Sequence, residues 1–256
     1  MSAASPSPRT VELRVFLPRS AATTIWRDGV FQKPKMQEKR SDDYLVISDD
    51  LGLKWRSSDK KKNDSFEVKI RLYRNSLSGC EEWVKYTGLH CSLLHAPVLA
   101  SSSEVALFKN TLTEQLQHLA TNLTSTAHRG SEILLEAVQI VKKEDFDLRN
   151  RLLRVQKKRR QASVRPHHIK TLADRSDSGA DVAGSSSAIL VLEQAFFSVS
   201  KPFAGNQICV DVYRSICLEG AEKESLMLWI LNEISLKKQD GGYLIAGYPQ
   251  YLATLV

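Results

Sequence analysis

Residues 52–58 read GLKWRSS and residues 65–74 read SFEVKIRLYR, with a Lys-rich turn (59–64) between them. In the second run Phe66, Val68 and Ile70 alternate with Glu67, Lys69 and Arg71. A period of two is the signature of a strand whose two faces meet different surroundings. The first run repeats the pattern: Lys54 and Arg56 share one face, Leu53 and Trp55 the other. Moving outward, VELRVFL (11–17), YLVIS (44–48) and EEWVKYTG (81–88) are short strands separated by turn residues, as in an antiparallel meander. SAILVLEQAFFSVS (187–200) and QICVDVYRSICLEG (207–220) are further strands, rich in β-branched and aromatic residues. The recurrence of Val105, Phe108, Leu112, Leu116, Leu119 and Leu123 predicts a helix with Ser103 as its N-cap. AEKESLMLWILNEISLKK (221–238), acidic at its start and basic at its end, predicts another. Segments 132–144 and 152–164 read as helix or strand, and Val138-Gln-Ile-Val tilts 132–144 towards strand. Residues 1–9 are expected to be a disordered Ser/Pro tail, 18–43 irregular, and 165–187 a mobile Ser/Gly/Asp-rich loop within a single domain spanning 10–256. The order of elements predicts an α+β fold around a large antiparallel sheet, closed or nearly so.

The composition suits a globular chain: 256 residues, 42% hydrophobic and 25% charged. No run approaches the roughly 18 apolar residues of a membrane-spanning helix. MSAASPSPRT has no basic head followed by an apolar stretch, so no secretory signal is expected. Cys80, Cys91, Cys209 and Cys217 form no CxxC pair, which predicts reduced thiols and a cytoplasmic or nuclear location. Residues 149–175 hold ten Lys/Arg against one acid. That local +9 against +7 for the whole chain leaves the remainder near −2.

Charge on successive strand faces has two readings. In one, Lys54, Arg56, Glu67, Lys69 and Arg71 are the wet outer face of an ordinary barrel. In the other, the apolar positions pack under helices and the charged ones line a polar interior. Lys157 and Arg159 join that interior set if 152–160 is extended. Such a lumen attracts polyanions, because ammonium and guanidinium groups satisfy phosphate oxygens by charge-assisted hydrogen bonds. Carboxylates among them would hold Mg²⁺ or Mn²⁺. The run Lys157-Lys158-Arg159-Arg160 reads alternatively as a nuclear-import or nucleic-acid patch, or as a solvated face. His167-His168 have no partners at metal-ligand spacing and read as exposed loop residues. No GxGxxG, Walker A, HExxH or GxSxG motif occurs, which excludes the chemistries those motifs carry.

GLKWR followed by FEVKIR resembles the paired strands of the CYTH superfamily, the triphosphate tunnel enzymes that include thiamine triphosphatase. VQKKRRQ is similar to that family's basic strand after the central helix, and ICVDVYRSICLEG to its late acidic strand. AILVLEQAFF and GGYLIAGYPQYLATL fall in matching order. The resemblance implies an eight-stranded antiparallel tunnel that binds a triphosphate-containing molecule or polyphosphate and hydrolyses it with Mg²⁺ or Mn²⁺. It implies phosphate contacts from Lys54, Arg56, Lys69, Lys157 and Arg159, with Arg71 added by strand parity. It implies metal-ligand or water-positioning roles for Glu12, Glu67, Glu193 and Glu219; Glu12, Glu67 and Glu219 are the catalytic candidates, and Glu12, Glu193 and Glu219 the metal candidates. The family's first strand reads ExExK, whereas this one reads Glu12-Leu-Arg14-Val-Phe16. An arginine in place of the second carboxylate opposes a bound cation while leaving anion binding intact. The competing expectation is therefore the same fold without catalysis, acting as an interaction or scaffold protein. A nucleic-acid module using 149–165 is the third.

Overall fold

The computed structural model describes residues 5–6, 9–17, 36–57, 65–89, 101–123, 128–164, 190–201, 210–220 and 244–256. The predicted loop at 165–187, the helix at 221–238, and His167-His168, Cys91 and Cys209 lie outside them. The described strands are β1 (Ser5–Pro6), β2 (Thr10–Leu17), β3 (Met36–Ser48), β4 (Leu51–Ser57) and β5 (Ser65–Arg74). They continue with β6 (Glu81–Leu89), β7 (Leu152–Val164), β8 (Leu190–Ser200), β9 (Val210–Gly220) and β10 (Leu244–Ile245). The described helices are α1 (Ser102–Asn122), α2 (His128–Lys142) and α3 (Tyr248–Ala253).

All ten strands join one antiparallel sheet in the order β1-β6-β5-β4-β3-β7-β8-β9-β2-β10, and β2 also pairs with β6. The sheet curls far enough to bring those two strands together, but the seam is short. It consists of Thr10↔Trp83, Val11↔Glu82 and Glu12↔Glu81. Beyond it the strands diverge: Phe16 and Val15 take β10 as their partner, while Tyr86 and Thr87 take β1. The expected eight-stranded closed barrel is thus corrected to a ten-stranded curled sheet, because two-residue strands occupy the edges along which closure would have continued.

The outer face of β3–β6 is buried beneath α1 and α2. Leu45, Leu51, Leu53, Trp55, Phe66, Val68, Ile70 and Val84 pack against Phe108, Leu112, Leu116, Leu134, Val138 and Val141. Trp55 stacks on Phe66 with centroids 4.9 Å apart and meets Phe108 at 5.6 Å. Segment 128–142 is a helix rather than a strand. Its buried residues Ile133, Leu134, Ala137, Val138 and Val141 fall on one helical face, so burial overrides the β-branched local preference. Helix α1 is capped by Ser101, two residues before the expected Ser103. Ser101 and Glu104 form a reciprocal capping box, which satisfies two backbone donors at once.

One further expectation is corrected, and one open alternative is resolved. Segment 36–43 is the first half of β3, not irregular chain, and each of its eight residues pairs with β7. Segment 152–164 is extended as β7. Residues 36–43 carry no apolar alternation because both faces are polar, and ion pairs hold those faces. Arg154 binds Asp43 at 2.7 Å on one side, and Arg40 binds Asp42 at 3.2 Å on the other.

Candidate anion-binding site

The inner face of the curled sheet is divided across its width. One half is apolar. Phe16, Tyr44, Val46, Leu153, Val155, Phe197 and Val199 surround the short helix α3, whose Tyr248, Tyr251 and Leu252 are buried among them. Phe16 lies flat on Tyr251 at 4.2 Å and edge-on to Tyr248 and Phe197 at 5.4 and 5.8 Å. Gly247 opens α3, and no side chain would fit there: a Cβ would lie 2.6 Å from Glu81 Oε2 and 2.8 Å from Trp83. The backbone can therefore seat directly on β6.

Above this floor is a cavity of about 410 Å³. Successive strands supply its wall by alternation: Glu12 and Arg14 from β2, Arg40 from β3, Lys54 and Arg56 from β4, Glu67 and Lys69 from β5. Lys85 comes from β6, Lys157 and Arg159 from β7, Glu193 from β8 and Glu219 from β9, while Tyr44 and Tyr248 line the boundary with the floor. Eight cationic side chains thus face four carboxylates.

Nine of the ten residues singled out from sequence line this cavity: Glu12, Lys54, Arg56, Glu67, Lys69, Lys157, Arg159, Glu193 and Glu219. Arg71 shares their strand parity but is not a lining residue. It is held by Asp50 and by Glu81, the latter at 2.7 Å, next to a register shift between Arg71 and Tyr73. Sequence reasoning missed Arg40 and Lys85 as site residues, and noted Arg14 on the charged face of the first strand without counting it among them. Arg40-Ser-Asp42-Asp-Tyr44 does alternate, but between polar residues, so the apolar marker of a strand is missing there. Lys85 carried a usable signal, being two residues from Trp83 on a recognised strand.

Interlocking ion pairs fix the wall. Lys54 pairs with Glu67, its cross-strand partner, and Lys69 pairs with Glu12. Glu193 accepts from Arg14 at 3.3 Å, and from Arg159 and Gln161 at 3.0 Å each. Asp42 is completely buried and gathers Arg40 at 3.2 Å, Arg56 at 3.1 Å and Lys157 at 3.1 Å. Lys157 sits over the Tyr248 ring at 4.3 Å and donates to the Tyr44 hydroxyl at 3.3 Å.

Burial raises the cost of every charge here, and the neighbours decide which charges persist. For Glu193, burial pushes the carboxyl up, but Arg14, Lys157, Arg40 and Arg159 outweigh it and hold it well below its ordinary range. Asp42 is depressed in the same way, against burial, by Lys157, Lys54, Arg40 and Arg56. Glu12 is lowered, its burial overcome by Lys69 and Arg14. Glu219, directly opposite Glu12 across the β2–β9 ladder, is raised by burial and by the Glu12 charge. Burial lowers Lys157 to about 7, and Arg40 and Lys54 add to the fall despite Asp42. Arg14 is 8% exposed, and among the described residues its Nε has no hydrogen-bond partner.

A protein-held Mg²⁺ or Mn²⁺ needs several anionic oxygens converging on one point. The proposed ligands do not offer that. Glu12 is engaged by Lys69, Glu193 by two arginines, and Arg14 stands among the carboxylates. Among the described residues, no group of three or more His, Cys, Asp or Glu side chains is placed to hold a metal ion. Glu12, Glu193 and Glu219 therefore do not fit the divalent site that the resemblance implied.

No family model matches the chain, and no curated protein matches it. Among solved structures the chain is similar to a conserved hypothetical protein from Pyrococcus furiosus. The identity is 11% and the TM-score 0.38, with 94% of this chain and 98% of that one covered. Among the described residues, no helix is long and apolar enough to cross a membrane.

Proposed function

We propose that this chain binds a triphosphate-containing small molecule or a short polyphosphate on the inner face of its curled sheet. The observation that carries the reading is the excess of cationic over carboxylate side chains around one concave, partly desolvated cavity. Removing water strengthens each charge-assisted contact to a phosphate oxygen. The Arg14 Nε is a buried donor with no hydrogen-bond partner among the described residues, and an anion oxygen would satisfy it. In this reading the curled sheet acts as the wall of a cavity comparable to a tunnel of the CYTH kind, open beyond the three-pair β2–β6 seam. Helix α3 forms its floor.

The reading is a binding function first. The Arg14 charge and the ion pairs of Glu12, Glu67 and Glu193 oppose a metal-held water at the phosphate, which favours the non-catalytic form of the fold. The test is calorimetry with tripolyphosphate, ATP and thiamine triphosphate, alongside phosphate release with and without Mg²⁺ or Mn²⁺. Saturable binding of tripolyphosphate without phosphate release is expected. No heat and no thermal shift with any of the three would overturn the reading, and metal-dependent turnover would replace binding by hydrolysis. Salt-sensitive binding to random-sequence nucleic acid, with no response to tripolyphosphate, would favour a nucleic-acid module.

A further inference from the structure

The arrangement around Arg14 bears on the form in which the anion binds. Arg14 lies among acids from two adjacent rows on the inner face of β2, β9 and β8. Its own row runs from Arg14 through Cys217 to Glu193, and the next row pairs Glu12 with Glu219. Its Nη1 reaches Glu193 Oε1 and Ser215 Oγ at 3.3 Å each, and its guanidinium lies 4.4 Å from the centre of the Tyr248 ring. Those contacts fix the side chain, bury nine-tenths of it, and leave Nε as a donor without a partner among the described residues. A planar guanidinium is always charged and presents donors in a fixed fork. It thus supplies, from within the chain, a positive charge in the midst of three acids.

We infer that Arg14 is a resident cation standing where a divalent metal would otherwise sit, so that the cavity takes the free oligophosphate anion rather than its Mg²⁺ complex. This inference rests on the proposed anion-binding function and specifies its ligand. A free tripolyphosphate brings its whole charge to the eight cationic side chains. A Mg²⁺ complex brings two charges fewer, and sets its metal against Arg14. Glu12, Glu67 and Glu193 are held in ion pairs, which leaves Glu219 as the lining carboxylate outside one among the described residues. The metal then competes with the protein for the same phosphate oxygens.

The test uses the full chain and tripolyphosphate as probe, titrated by calorimetry in EDTA and again in excess Mg²⁺. Affinity in EDTA is expected to exceed that in Mg²⁺ by about tenfold, equivalent to ~1.4 kcal/mol. Binding that requires Mg²⁺, or tightens with it, would overturn the inference while leaving the anion-binding function standing. Binding in neither condition would overturn that function, and the inference with it. A second readout needs no phosphate: Mn²⁺ alone, followed by electron paramagnetic resonance. Wild type is expected to leave the Mn²⁺ signal that of the free ion, and Arg14→Glu to quench part of it. A wild-type chain that binds Mn²⁺ stoichiometrically would contradict the inference. Should Arg14→Glu fail to fold, Arg14→Gln serves in the calorimetric arm. Its advantage for EDTA over Mg²⁺ should shrink, and an unchanged ratio would argue against Arg14 as the cause.

Discussion

The two halves of the inner face are built from the same strands yet do opposite things. Along β2, Glu12 and Arg14 belong to the charged cavity and Phe16 to the aromatic floor; along β7, Arg159 and Lys157 belong to the cavity, Val155 and Leu153 to the floor. A step of two residues along one strand face carries the chain from one to the other. In the floor, apolar area leaves water and each ring gains close contacts. In the cavity, charges are held against one another at a cost in desolvation, and no such gain offsets it. The floor is therefore where stability is expected to come from, and the cavity is where, in the proposed reading, it is given up for binding.

Substitutions can break that contrast. Phe16→Ala should be the most damaging, removing a ring that contacts Tyr251, Tyr248 and Phe197. The expected loss is about 3–5 kcal/mol, read from the urea midpoint. Preserved stability would mean that α3 does not depend on the floor. Asp42→Asn tests the seam between the halves. It leaves Arg40, Arg56 and Lys157 facing a neutral amide, with an expected loss of about 3 kcal/mol by the same measurement.

The cavity should behave differently. Lys69→Gln or Lys54→Gln is expected to weaken tripolyphosphate by about tenfold, or ~1.4 kcal/mol, and to lower the urea midpoint as well, since each leaves a buried glutamate without its ammonium partner. A large stability loss without a binding change would reverse the assignment of the two halves. Protonation sharpens the point. Lys157, lowered to about 7, gains charge as pH falls from 8 to 6, so wild type should bind more tightly at pH 6. Tripolyphosphate also titrates in this range, so the diagnostic quantity is the difference in slope between wild type and Lys157→Met. The sign for stability is opposite. Between about pH 7 and the higher unfolded value, the unfolded chain binds more protons at this lysine, so wild type should gain stability with rising pH relative to Lys157→Met. At the small end, Ser101→Ala removes the α1 cap from the far side of the sheet. It should cost about 1 kcal/mol and leave binding unchanged.

Strand parity made the wall legible. Glu67 and Lys69 differ from Phe66 and Val68 by one position, and that position decides whether a residue meets α1 and α2 or the cavity. It could not reveal Arg40, whose strand is polar on both faces, or the trap at Arg71, where Asp50 and Glu81 claim the side chain. The floor was harder still. Phe16 and Tyr251 are stacked at 4.2 Å but lie at opposite ends of the chain, so only the tertiary fold shows why an aromatic residue occupies that position on β2. Segment 132–144 reads as helix or strand and tilts to strand because Val138, Ile140 and Val141 favour strands locally, whereas the burial that makes them helical comes from β3–β5. The seam followed the same rule. Nothing in residues 10–17 announces that the two-residue β10 will take the edge that full closure required.

The central claim is that the charged half of the inner face is an anion site. Titrating tripolyphosphate into the full chain by calorimetry at low and at moderate ionic strength tests it most directly. The account predicts one site per chain, affinity falling as salt rises, and loss of the heat in a Lys54→Gln, Lys69→Gln double variant that still unfolds cooperatively in urea. Binding that is indifferent to salt, or unchanged in that double variant, would contradict it.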